Sequence, residues 1–166
     1  MSEIDSARDA TLTIAHPSDV ETVVQRRFNA TPTELFTAWT TPDLVRRWWS
    51  HTGQMSTCTI DLRVGGQWRW AHYDAEHKME VAYSGTYVAL DRPHLLAFTE
   101  AFELMPGSDY TNKITFDESG DGTLLTSRMT YSSQEWRDGH FAAGFESGLR
   151  EAYARIEALV TSLRNE

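Results

Sequence analysis

Residues 31–49, TPTELFTAWTTPDLVRRWW, predict two short helices that follow each other directly. Thr31 suits the N-cap of the first helix, Pro32 suits its first helical position, and Glu34 completes a capping box. A second Thr-Pro pair, at 41–42, repeats this start signal for the second helix. Because the sequence on both sides follows the two-residue period of β-strands, these helices form a corner between strands.

Eight strands are predicted around this helical corner from alternating polar and apolar residues. Two precede it and six follow it, over residues 11–15, 20–28, 55–64, 67–73, 80–90, 95–102, 111–117 and 123–131. Gly65 and Gly66 are placed to form a two-residue hairpin turn between the third and fourth strands. Short polar connections between the later strands predict an antiparallel meander.

A long amphipathic helix is predicted for the last part of the chain. Ser132 and Glu135 form another capping-box pattern at its start, and Gly139 favours a break near that start. One apolar stripe runs along the helix, formed by Phe141, Phe145, Leu149, Ala152, Ile156, Leu159 and Leu163. Strands followed by a segregated helix predict an α+β fold, in which the helix lies across a curved antiparallel sheet.

The composition is that of an acidic globular domain. The chain has 166 residues, and 15 basic against 24 acidic side chains give a net charge of −9, which disfavours nucleic acid as a partner. Its one cysteine, Cys58, can form neither an internal disulfide nor a multi-cysteine zinc site. No apolar run reaches the ~20 residues of a membrane helix, and no signal peptide is visible. We expect a disordered tail over residues 1–10, one domain over 11–166, no membrane insertion and a cytoplasmic location.

Several local motifs resemble the heat-shock-protein-90 ATPase activator homologue family. They are TELFTAWT at 33–40, PDLVRRWW at 42–49, DLRVGGQW at 61–68, GTY at 85–87, PHLLAFT at 93–99, GTLLT at 122–126 and GFESGL at 144–149. The resemblance covers about residues 20–163. It implies the helix-grip fold of the START-like, birch-pollen-allergen-like (SRPBCC) superfamily, in which a curved antiparallel sheet wraps around a long C-terminal helix.

The resemblance implies more about fold than about activity. Stand-alone members are thought to bind small apolar ligands, so our leading hypothesis is an apolar or aromatic small molecule held between sheet and helix, with no cofactor. A chaperone partner, bound as in the ATPase activators, is the first alternative. A cofactor-free cyclase or hydrolase is the second, because such enzymes share this architecture. The resemblance leaves open whether the protein is a monomer or a homodimer.

Strand alternation assigns one set of side chains to the concave face that the helix covers. The ligand-binding residues predicted there, on the helical corner and on the last helix are Trp48, Trp49, Trp68, Trp70, His72, Phe98, Glu100, Phe116, Met129, Tyr131, Phe141 and Phe145. The alternative is that these side chains only fill the core. Gly144 and Gly148 lie one turn apart beside the apolar stripe, and they either bring the helix close to the sheet or leave room for a ligand.

Glu100 is an exception on the inward face, because a carboxylate there is costly to bury without a partner. It either contacts water near the cavity entrance or anchors a ligand together with His72 or Tyr131. If the protein is an enzyme, His72, Glu100 and Tyr131 are the candidates for acid–base catalysis. The six histidines form no metal-binding pattern, so we expect no metal.

Overall fold

The computed structural model describes residues 12–50, 52 and 54–166, which form a curved antiparallel sheet and four helices. The strands are β1 Leu12–Ala15, β2 Glu21–Phe28, β3 Thr57–Ile60, β4 Gln67–Asp74, β5 Met79–Asp91, β6 Leu95–Phe102, β7 Tyr110–Ser119 and β8 Gly122–Tyr131, in the spatial order β1-β2-β8-β7-β6-β5-β4-β3. The helices are α1 Pro32–Thr40, α2 Pro42–Trp48, α3 Gln134–Ala142 and α4 Phe145–Arg164. None of these helices combines the length and the apolar character needed to cross a membrane.

This architecture confirms the predicted α+β, helix-grip fold. The two short helices lie between β2 and β3, as the residue 31–49 pattern predicts, and the six later strands form a meander. The predicted tail over residues 1–10, the first residue of the first predicted strand, Thr11, and His51 lie outside the described residues.

The helical corner begins with the predicted capping box. Thr31 Oγ1 accepts a hydrogen bond from the Glu34 amide at 3.1 Å, and Glu34 Oε1 accepts one from the Thr31 amide at 3.0 Å. Such a cap contributes about 1 kcal/mol. Glu34 also pairs with Arg164 at 2.6 Å, which links the start of α1 to the end of α4. At α2 the start signal is weaker than predicted, because the Thr41 side chain makes no capping hydrogen bond.

The predicted hairpin turn at Gly65 and Gly66 is wrong. Strand β3 ends at Ile60, which pairs with Trp68, so residues 61–66 form a six-residue connection. The Gly65 amide donates to the Tyr87 carbonyl at 2.8 Å, and the Tyr87 amide donates to the Gly66 carbonyl at 2.9 Å. The two glycines therefore bond to β5, which holds the connection against the sheet.

The C-terminal helix is interrupted at Gly144, and the predicted break at Gly139 is wrong. Helix α3 has Ser133 as its N-cap, where the Ser133 hydroxyl accepts a hydrogen bond from the Trp136 amide at 3.2 Å, one residue later than the predicted Ser132 cap. Gly144 has a φ of +95°, a left-handed conformation that glycine adopts without steric cost. The chain therefore changes direction between α3 and α4.

Helix α4 packs tightly from Tyr153 onward and loosely before it. Tyr153 lies 5.6 Å from the Phe28 ring and 5.9 Å from the Trp39 ring, between centroids, which fixes the helix to β2 and α1. Ile156 and Val160, farther along the helix, are fully buried. Phe145, Leu149 and Ala152, nearer the N-terminus, are only partly buried. The space between helix and sheet therefore widens toward the start of α4.

Candidate functional site: an aromatic cavity beside α3 and α4

A cavity of about 410 Å³ occupies the widening space between the sheet and α4. Its size is in the range of sites that hold small organic molecules. Rings form much of its wall, contributed by Trp39, Trp48, Trp49, Trp70, Tyr83, Phe98, Tyr110, Phe145 and Tyr153. The polar side chains in the wall are those of Ser50, His72, Glu100, Asn112, Ser127 and His140. The cavity therefore presents flat apolar surfaces and a few hydrogen-bonding groups.

The entrance lies at the break between α3 and α4. Ala143, Gly144 and Gly148 all line the cavity and are all exposed to solvent. A Cβ atom placed on Gly144 or Gly148 would meet no atom within 4 Å. Of the two roles that the sequence left open for these glycines, leaving room is therefore the one that the geometry favours.

A second compartment of about 580 Å³ adjoins the first. Its lining includes Phe102 at the end of β6, Met105 in the loop after β6, and Trp136 and Gly139 on α3. The two compartments share the lining residues Tyr83, Glu100, Tyr110, His140 and Ala143. These shared residues form the boundary between the two spaces, and any ligand that occupies both must pass them.

Four polar residues at this boundary form two hydrogen-bonded pairs, and we call Glu100, Tyr110, Tyr131 and His140 the boundary cluster. The Tyr110 hydroxyl donates to Glu100 Oε2. The Tyr131 hydroxyl lies 2.6 Å from His140 Nδ1. The rings of Tyr110 and Tyr131 stack with centroids 4.9 Å apart, which joins the two pairs. Glu100 therefore has Tyr110 as its hydrogen-bond partner, and its role as a ligand anchor together with His72 or Tyr131 stays a prediction.

The ionisation of the boundary cluster follows from its burial. Burial raises the pKa of Glu100, and the hydrogen bond from Tyr110 opposes this shift. Burial, with the nearby charge of Glu100, also raises the pKa of Tyr131. Burial lowers the pKa of His140 to about 4, so its imidazole is neutral at physiological pH. A neutral imidazole bonded to a tyrosine hydroxyl can accept or donate a proton, and catalysis stays a prediction for this cluster.

The low pKa of His140 predicts a loss of stability in acid. The unfolded chain takes up a proton near pH 6.5 and the folded protein only near pH 4, so stability falls as the pH drops between these values. The free energy of unfolding should decrease by up to about 3 kcal/mol from this residue. Glu100 acts in the opposite direction, because its raised pKa favours the folded state in acid. Urea unfolding at several pH values measures the combined effect of both residues on the free energy of unfolding.

The variant His140→Gln isolates the contribution of the histidine. We expect its free energy of unfolding to fall less steeply between pH 6.5 and pH 4 than that of the unmodified protein. His94 is exposed, so His94→Gln serves as a control that should leave the slope unchanged. Equal slopes for the unmodified protein and His140→Gln would show that His140 is not buried as a neutral base.

One buried hydrogen-bond donor in the cavity wall has no partner. Trp70 is 8% exposed, and its indole Nε1 makes no hydrogen bond within the described part of the chain. Leaving such a group unpaired costs about 1–3 kcal/mol. By contrast, Ser127 in the same wall donates to Asn112 Oδ1 at 2.7 Å. Neither Ser127 nor Asn112 accepts a hydrogen bond from the Trp70 indole, so this donor is unsatisfied.

The structure brings most of the predicted ligand-binding residues to one place. The main cavity is lined by Trp48, Trp49, Trp70, His72, Phe98, Glu100, Met129 and Phe145, and the second compartment by Glu100 and Tyr131. Of the predicted acid–base groups, Glu100 and Tyr131 belong to the boundary cluster, whereas His72 lies beside Trp49, 5.8 Å away between ring centroids.

Three predicted ligand-binding residues, Phe116, Trp68 and Phe141, lie outside the linings of these two compartments. Phe116 is fully buried and packs between Phe36 and Trp39, in the core below α1. The Trp68 indole Nε1 donates a hydrogen bond of 3.2 Å to the Thr99 carbonyl on β6. Phe141 faces the ring of His16 at 5.1 Å, because the break at Gly144 ends the continuous stripe on which its prediction rested.

Sequence reasoning missed Tyr110 and His140. Strand β7 begins at Tyr110, whereas the predicted strand begins one residue later, at Thr111. In the sheet, Tyr110 is paired with Glu100 on β6 and with Tyr131 on β8. Facing residues in an antiparallel pair share one side of the sheet, so the correct strand start would have found Tyr110. His140 precedes the predicted stripe by one residue, and only the geometry of the α3–α4 break brings it to the cavity.

One group of potential metal ligands lies outside the cavity, in the connection after β4. Ligand atoms of Asp74, Glu76 and His77 lie within 4.8 Å of one another. Asp74 already accepts hydrogen bonds from the Glu76 amide and from the amide and ring of His77. These bonds explain the cluster as part of the polar turn between β4 and β5.

Comparison with known proteins identifies the family of this chain. The family model described as "Activator of Hsp90 ATPase homolog 1-like protein" matches residues 29–161, which is most of the chain. The chain belongs to this family. The resemblance of the sequence motifs to the activator homologues is thereby confirmed. None of the curated proteins matches the sequence.

Solved structures of similar proteins share the fold of this family member. A Rhodobacter sphaeroides protein superposes with a TM-score of 0.83 at 24% identity, covering 92% of this chain and 99% of that one. A Mycobacterium smegmatis protein gives 0.78 at 25% identity, covering 89% and 96%. A Nitrosomonas europaea protein gives 0.77 at 20% identity, covering 89% and 98%. At this level of identity the similarity concerns the fold.

Proposed function

We propose that this protein binds an apolar or aromatic small molecule in the cavity between the sheet and helices α3 and α4. The observation that carries this proposal is a space of about 410 Å³, walled by rings, at a position where α4 could have packed against the sheet. Gly144 and Gly148 keep the entrance free of side chains.

The wall of the cavity indicates what such a ligand looks like. Rings of Trp49, Trp70 and Phe98 offer flat apolar contacts, and burial of an aromatic body against them is favourable by roughly 25 cal/mol per Å². The adjoining second compartment leaves room for a longer molecule.

Binding can be tested with Nile red, a neutral aromatic dye whose emission rises in apolar surroundings. We expect a saturable increase in dye emission, with tryptophan quenching, because several Trp residues line the cavity. Nile red at a concentration of about 100 times its dissociation constant should raise the melting temperature of the protein by roughly 5–10 °C. A dye response that never saturates, with an unchanged melting temperature, would contradict the proposal.

Activation of an Hsp90 ATPase is a second candidate function, and the family description favours it. This function would use the protein surface and would not require an open cavity. Purified protein added to an Hsp90 ATPase assay should then raise the rate of hydrolysis. Absence of stimulation at high concentration would exclude this candidate and would leave ligand binding unaffected.

A further inference from the structure

We propose that the ligand carries a positively charged amino or quaternary ammonium group, which binds beside Glu100 at the boundary between the two compartments. The inference rests on the proposed function, since it names the class of ligand for the same cavity. Three observations carry it: the charge of the lining, the rings around Glu100, and the lack of a cation beside its carboxylate.

The lining of both compartments is acidic. Among the described residues, neither lining contains a lysine or an arginine, whereas Glu100 lines both compartments and Glu135 lines the second. Arg137, on α3, is engaged elsewhere, because it donates to the Ser18 carbonyl at 2.6 Å and pairs with Asp138 at 3.1 Å. An anionic ligand would therefore enter a space with no counter-charge and would meet a carboxylate.

Aromatic rings stand around the Glu100 carboxylate. Tyr83 and Tyr110 line both compartments together with Glu100. The Trp49 ring lies 5.7 Å from the Tyr83 ring and 6.0 Å from the Trp70 ring, between centroids. The faces of such rings attract a cation within about 6 Å and give an anion no comparable attraction. A carboxylate among several aromatic rings is an arrangement suited to an organic cation.

The Glu100 carboxylate itself lacks a positive partner. Within the described residues its one hydrogen bond comes from the Tyr110 hydroxyl, and it takes part in no salt bridge. Burial raises its pKa, which is the response of a carboxyl group removed from water without a counter-charge. An ammonium group placed beside it would supply that charge and would hold the carboxylate in its ionised form.

Three ligands of one skeleton test the inference, namely 2-(1-naphthyl)ethylamine, 2-(1-naphthyl)ethanol and 1-naphthylacetate, titrated calorimetrically into the full chain near pH 7. We expect the amine to bind at least about tenfold more tightly than the alcohol, from charge pairing and cation–π attraction together. The acid should bind most weakly. Equal affinity of amine and alcohol, or tighter binding of the acid, would overturn the inference.

The variant Glu100→Gln locates the effect. Glutamine keeps an oxygen that can accept the Tyr110 hydrogen bond, so this variant should fold, and its melting curve checks that it does. We expect the advantage of the amine over the alcohol to disappear in Glu100→Gln. It should persist in the control Glu103→Gln, because Glu103 pairs with Arg69 and lines neither compartment. An amine advantage that survives Glu100→Gln would overturn the inference.

Failure of the inference can be told apart from failure of the proposed function. If alcohol and amine bind equally, the cavity binds small molecules without selecting their charge. If none of the three binds and Nile red also gives no saturable response, both the inference and the proposed function are overturned.

Discussion

Replacing Gly85 with alanine should lower the free energy of unfolding by more than about 4 kcal/mol. A Cβ atom at this position would lie 1.7 Å from the Thr99 carbonyl oxygen on the neighbouring strand and 2.9 Å from Trp68 Nε1. The Trp68 indole donates to that carbonyl at 3.2 Å, so it lies across the backbone of Gly85. A methyl group would push the strands apart and break this hydrogen bond, because the Thr99 carbonyl belongs to the backbone and cannot move aside locally.

Urea denaturation of Gly85→Ala measures this cost. The matched control is Gly148→Ala, where the added Cβ meets no atom within 4 Å. Since Gly148 lies within α4, alanine there should raise stability by up to about 1 kcal/mol. A Gly85→Ala protein as stable as the unmodified one would show that Trp68 does not cross the strand at this glycine.

Replacing Gly148 with leucine should weaken ligand binding while leaving the protein folded. Gly148 lines the main cavity at its entrance and has open space where a side chain would project. Leucine is a good helix former, so the substitution should not weaken α4. The new side chain would occupy the space that we assign to the ligand. We expect the affinity for Nile red to fall by at least about tenfold, or about 1.4 kcal/mol.

The neighbouring variant Ser147→Leu is the control for added apolar surface. Ser147 is exposed and lines neither compartment, although it lies on the same turn of α4. Its affinity for Nile red should match that of the unmodified protein. If both leucine variants bound the dye as the unmodified protein does, the dye would be held outside this cavity.

Much of the fold could be predicted because its signals are local. The capping box of Thr31 and Glu34 needs only neighbouring residues, and the two-residue period places Trp68, Trp70 and His72 on one side of β4 whatever the rest of the chain does. The Gly65–Gly66 turn was mispredicted because its glycines bond to Tyr87, more than 20 residues later along the chain. No local pattern contains that contact.

The candidate site was less predictable because it depends on distances between elements. Alternation identifies the inward faces but does not distinguish a side chain packed on all sides, such as Phe116, from one that lines the cavity, such as Phe98. The interruption at Gly144 turns Phe141 away and brings His140 to within 4.1 Å of Phe145, between ring centroids. Tyr110 was missed because the predicted strand begins at Thr111, one residue after the observed start of β7.

The central claim is that a small aromatic molecule binds inside the main cavity, and nuclear Overhauser effects between protein methyl groups and a bound ligand test it most directly. The methyl groups of Ile114 and Met129 line this cavity, whereas those of Val64 and Val88 are exposed on the outside. With methyl-labelled protein and 2-(1-naphthyl)ethanol, we predict ligand contacts to Ile114 and Met129 and none to Val64 or Val88. Contacts confined to the exposed valines would contradict the claim.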